Sequence, residues 1–89
     1  MSASTLRARA AAFDAAADRL AEVSCRLSGE LAHQRKVGAW ETARVTEIRL
    51  RAATRGEERA LLRAMGCRIA ASAIEHHEAR TRALMNVAA

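Results

Sequence analysis

The stretch LRARAAAFDAAADRLAEVSCRLSGEL, residues Leu6–Leu31, decides the fold. Leu6, Phe13, Leu20 and Leu27 recur every seven residues, with Ala10, Ala17, Ser24 and Leu31 at the alternate position. A large residue at one position and a small one at the other is the a/d seam of a coiled coil. The small residues let a facing helix approach closely. Asp14, Asp18, Arg19, Glu22 and Arg26 fall off the seam, and Glu22 with Arg26 stands in the favourable i,i+4 order. Ser2 or Ser4 is placed to cap the start of this helix.

Downstream the pattern weakens. The same heptad leads to Gln34, Gly38 and Glu41, then resumes with Val45, Ile48 and Ala52. A slip of register or a break is expected between Leu31 and Val45, with Val37 and Trp40 on a shifted stripe. The last segment offers Leu62, Met65, Ile69, Ala73, His76, Ala83 and Val87 at helical spacing. Two breaks suggest themselves. Ser28-Gly29 reads as a helix stop, and Thr54-Arg55-Gly56-Glu57 reads as a capping box. Gly38 and Gly66 each cost only about 1 kcal/mol inside a helix and need not interrupt one.

Composition supports an all-helical chain. The 89 residues contain no Pro or Tyr, one Phe, one Trp and four Gly. Ala, Arg, Leu and Glu, all strong helix formers, dominate. β-Branched and aromatic residues are too sparse for a sheet. So short a chain makes one domain, residues 1–89, and its Ala-rich core must be thin. The expected fold is all-α, a long antiparallel coiled-coil hairpin turning near Gly29 or Gly56, with a three-helix bundle as the alternative. A helix of about 50 residues would make a rod roughly 75 Å long.

The net charge of +5 has a location. Residues 1–34 carry four Arg against four carboxylates, and residues 69–89 carry two against two. Residues 35–68 hold nine basic and four acidic side chains, so the excess lies in the middle. Within it Arg51, Arg55, Arg59 and Arg63 are spaced by four, and Arg44 extends the row. On a continuous helix they form one stripe, and a break at Gly56 would split it into two pairs. The stripe reads as a solvated face or as a surface for an acidic partner, protein or nucleic acid. Trp40, the one large rigid side chain in the middle, is either a core plug beside Gly38 or an exposed anchor on a partner.

Catalysis finds no support. No Ser or Cys sits in a glycine-rich elbow, and no glycine loop is shaped for phosphate. Glu30-x-x-His33 beside Glu75, His76, His77 and Glu78 has the look of a metal-binding step. The seam of the first segment lacks the inward carboxylates such a site needs, so neither metal nor cofactor is expected, and the chain reads as non-enzymatic. A bundle completed by a second copy is the form in which a metal site would survive. Cys25 and Cys67 read as two reduced thiols. With no apolar run near the roughly 20 residues that span a bilayer, and no apolar stretch of a secretory signal, a cytoplasmic protein without membrane insertion is expected.

The stretches LAHQRKVGAWETAR (Leu31–Arg44) and RAMGCR (Arg63–Arg68) resemble small coiled-coil proteins of the FliJ type, found in bacterial flagellar and type III export systems. The likeness is to the Arg- and Ala-rich members and covers less than half the chain. It implies an antiparallel hairpin inserted as a stalk into the ring of an export ATPase. It also implies contacts with an export-gate component and with export chaperones. The site residues expected to meet such a partner, Arg44, Arg51, Arg55, Arg59, Arg63 and Trp40, come from spacing and not from the resemblance. Rival readings are a small basic nucleic-acid-binding protein and a self-assembling helical bundle.

Overall fold

The computed structural model describes residues 1–88, which form two helices and a three-residue turn. Helix α1 spans Ala3–Lys36 and helix α2 spans Trp40–Ala88. They pack antiparallel along their length into a rod of 76 × 16 × 13 Å. The hairpin is therefore as expected, and the three-helix alternative is not formed.

Helix α1 starts where Ser2, in an extended conformation, accepts a hydrogen bond from the Thr5 amide at 3.2 Å. His33, Arg35 and Lys36 occupy its last turn, where positive charge meets the negative end of the helix dipole. The helix then ends in a Schellman motif. The Ala39 amide donates to the Gln34 carbonyl at 2.9 Å, and the Gly38 amide donates to that of Arg35 at 3.3 Å. Closing these bonds puts Gly38 at φ +76°, a left-handed conformation in which a Cβ is strained. The turn thus lies at Val37–Ala39, inside the break expected between Leu31 and Val45 and not near Gly29 or Gly56.

Both expected breaks lie inside helices. Gly29 is part of α1, and a Cβ there would meet open space. Thr54 caps nothing: its hydroxyl donates back to the Leu50 carbonyl at 3.0 Å, an i−4 bond inside α2. Gly56 sits where a Cβ would come within 3.1 Å of Leu20 Cδ1, so its smallness serves helix–helix approach and not a turn. A prediction follows from the contrast. Gly29→Ala should stabilise the hairpin by about 0.5–1 kcal/mol through helix propensity. Gly38→Ala should destabilise it by about 1–2 kcal/mol through left-handed strain. Urea unfolding followed by circular dichroism separates the two, since the midpoint should move in opposite directions.

The seam of α1 is the one its heptads predict. Ala10, Ala17, Leu27 and Leu31 are buried, and Leu6, Phe13, Leu20 and Ser24 are half-buried. The seam of α2 is different from expectation. Its buried residues are Ala43, Thr46, Ala53, Ala60, Ala64 and Ala71, with Leu50, Glu57, Cys67 and Ile74 half-buried between them. These too alternate steps of three and four. Matching inward positions outward from the turn sets Leu31 across from Thr46, Leu27 from Leu50, Phe13 from Ala64 and Leu6 from Ala71. Phe13 and Leu6 therefore meet alanines of α2, which keeps that half of the rod thin. Two polar atoms are enclosed without a hydrogen-bond partner, Ser24 Oγ and Gln34 Oε1.

The residues first read as the α2 seam face away from α1. Val45, Ile48, Leu62, Met65, Ile69 and Val87 are all exposed, as are Ala52, Ala73, His76 and Ala83. Apart from Met65 they fall on a real seven-residue repeat, but one rotated to the opposite side of the helix. Helix α2 also outruns its partner. It has 49 residues against 34, so its last turns project about 20 Å past the start of α1. Among the described residues no helix is long and apolar enough to cross a membrane.

Candidate interaction surface

Because Gly56 does not interrupt α2, the arginine row is continuous. A four-residue step advances about 40° around a helix, so the row crosses the outer face obliquely. Arg44 and Arg51 lie on one flank, Arg55 and Arg59 point straight outward, and Arg63 lies on the other flank. From Arg51 to Arg63 the row climbs about 18 Å. All five side chains are exposed.

Their partners differ. Arg51 pairs with Glu47 one turn back at 2.8 Å, and Glu47 also meets Arg35 across the helix interface at 3.7 Å. Arg63 lies over the Phe13 ring at 5.9 Å, a cation–π contact between the helices. The Nε groups of Arg55 and Arg59 donate to the carbonyls of Arg51 and Arg55, each at 3.4 Å. Among the described residues, Arg44, Arg49, Arg55, Arg59 and Arg63 have no carboxylate within ion-pair distance. Arg49 belongs with this group although spacing by four did not include it. What would have found it is the charge count, not the periodicity.

Two further ion pairs lie away from the row. Arg7 bonds Glu75 at 2.7 Å, and Arg68 pairs with Asp14, both joining α1 to the far half of α2. The hydrogen bond and charge of Glu75 hold the Arg7 guanidinium above its ordinary pKa. These pairs are exposed and add little stability, but they fix register.

Trp40 is the first residue of α2 and is 63% exposed, with its indole edge beside Gly38. The core-plug reading is thereby excluded. Trp40, Val37 and Arg44 share the turn end of the rod. The apolar residues of the outer repeat flank Arg55 and Arg59 on both sides, Val45 and Ile48 before them and Leu62 and Ile69 after.

The metal-like residues are not brought together. Glu30 and His33 lie near the turn, while Glu75, His76, His77 and Glu78 lie roughly 40 Å away along the rod. No group of three or more His, Cys, Asp or Glu is placed to hold a metal ion among the described residues. Cys25 and Cys67 are free, and their layers are separated by about 20 Å, too far for a disulfide within one chain. Two surface depressions, one lined by Leu50, Arg51, Thr54 and Arg55 and one by His77, Glu78, Thr81 and Arg82, are open and each formed by one helix. Neither encloses a small molecule as an active site does. No protein-family model matches the chain, and neither a curated protein nor a solved structure does.

Proposed function

We propose that this protein is a non-enzymatic cytoplasmic adaptor that docks on a larger protein assembly through the outer face of α2. One observation carries the reading: five arginines without carboxylates stand on a face that also exposes Val45, Ile48, Leu62 and Ile69. A solvated face would offer charge without the apolar residues. A thin rod 76 Å long suits a spacer or stalk. In its specific form the proposal makes the rod a stalk within an export ATPase ring or against a gate component. That form rests on the resemblance of Leu31–Arg44 and Arg63–Arg68 to FliJ-type proteins.

Affinity purification of the tagged protein from its native host, with mass spectrometry, tests the proposal. The variant Arg51→Glu/Arg55→Glu/Arg59→Glu/Arg63→Glu is run in parallel. Recovery of one assembly with the wild type and its loss with the variant is the expected result. Recovery of nucleic acid, or of this protein alone, would overturn it. The basic row favours nucleic acid as the second reading, which requires an affinity falling steeply with salt.

A further inference from the structure

We infer that the outer repeat of α2 is a seam for a third helix, an acidic amphipathic segment of the partner, with Arg55 and Arg59 as its charge clamp. The inference rests on the adaptor reading and names the chemistry of its partner.

Val45, Ile48, Leu62 and Ile69 fall on a strict alternation of three and four residues, with Arg55 and Arg59 at the two positions midway along it. This is the spacing by which one helix receives another. Val45 is 49% exposed, and Ile48, Leu62 and Ile69 are 66%, 65% and 68% exposed. Gly66 lies in the same repeat, and beyond it there is open space for a backbone to approach. From Val45 to Ile69 the repeat covers about 36 Å.

Charge then selects the occupant. Between residues 45 and 87 the repeat contains no Asp or Glu. Over residues 44–63 its flanks carry Arg44, Arg49, Arg51 and Arg63 against Glu58 alone. A second copy centred on this segment would set arginine against arginine. A second copy centred on Gly66 would set Arg55 against His76 and Arg59 against Ala73, again without a carboxylate in the seam. Guanidinium groups covered by a packed helix need carboxylates, because an unpaired buried charge is costly. Nucleic acid would supply negative charge but leave Ile48, Leu62 and Ile69 wet. A helix with Leu or Ile along its seam and Glu at the two middle layers satisfies both kinds of residue at once.

The test uses the full chain and a designed peptide of about 28 residues, long enough to cover the repeat. The peptide carries Leu and Ile heptads and Glu at the two middle layers, and a control carries Lys there. Titration calorimetry should give micromolar binding of the Glu peptide and binding at least about tenfold weaker for the Lys peptide. Arg55→Glu/Arg59→Glu should invert that preference, and Leu62→Ser/Ile69→Ser should weaken the Glu peptide by about tenfold or more. Failure of the Glu peptide to bind, or equal binding to the serine variant, would overturn the inference. So would tighter binding of a short DNA duplex. So would self-association in sedimentation that Leu62→Ser/Ile69→Ser abolishes, which would assign the seam to a second copy. In the host purification, an assembly lost with the four-arginine variant but retained with Leu62→Ser/Ile69→Ser would leave the adaptor standing and remove the docked helix.

Discussion

Ala64→Leu should lower the melting temperature by about 4–24 °C, while Leu62→Gln two residues away should leave it within a few degrees. The direction is contrary to ordinary expectation, in which enlarging an apolar side chain helps and replacing leucine with a polar residue harms. Ala64 has no exposed surface and lies across from Phe13, which also carries the Arg63 contact. Three further carbons there force the helices apart, at about 1–3 kcal/mol. In a domain of this size each kcal/mol moves the midpoint by about 4–8 °C. Leu62 points to water, so its replacement falls within about 0.5 kcal/mol. Thermal melts followed by circular dichroism measure both. An Ala64→Leu variant as stable as the wild type would mean that α2 is rotated relative to the arrangement described.

Reversing Arg51, Arg55, Arg59 and Arg63 to Glu should abolish partner binding and leave the hairpin helical. Four reversals of two charges each take the net charge from +5 to −3. Stability should change modestly. Arg51 loses an exposed i,i+4 pair with Glu47, and Arg63 loses its contact with Phe13, each worth about 0.3–1 kcal/mol. Arg55 and Arg59 lose only long bonds to carbonyls on their own helix. Binding should suffer far more, because each reversal replaces attraction by repulsion. At about 1 kcal/mol or more per contact, four contacts weaken association by on the order of 1,000-fold. Helicity retained with binding lost is the expected pair of results. Unchanged affinity for the recovered assembly would make the arginines a solvated face.

How much of this was legible before the structure depends on side-chain size. In α1 the large residues Leu6, Phe13, Leu20 and Leu27 face inward, so the hydrophobic repeat and the core are the same repeat. In α2 they are different repeats. Alanine is the residue that lets α1 come close, so it carries the core. Val45, Ile48, Leu62 and Ile69 carry an outer repeat of equal regularity. Reading by hydrophobic weight picks the heavier stripe and turns the helix the wrong way. The weakening of the heptad between Leu31 and Val45 did mark the stretch that holds the turn, but the two proposed helix stops at Gly29 and Gly56 were misplaced for another reason. Thr54-Arg55-Gly56-Glu57 has the form of a cap, but a capping box needs the backbone to leave the helix, and the close fit of Gly56 against Leu20 keeps it there. The better signal was adjacent to Gly38. His33, Arg35 and Lys36 crowd the turn before it, as basic residues do at a helix end. The arginine row was legible because spacing by four needs no knowledge of which side is buried.

The most direct test of the account is thiol labelling of single cysteines, placed as Leu62→Cys or Ala71→Cys in a Cys25→Ser/Cys67→Ser background. Leu62→Cys should react rapidly in the purified protein and become protected in host extract, while Ala71→Cys should resist labelling in both. Equal reactivity of Leu62→Cys with and without the extract would contradict a partner on the outer face. Rapid labelling of Ala71→Cys in the purified protein would contradict the alanine seam on which that face depends.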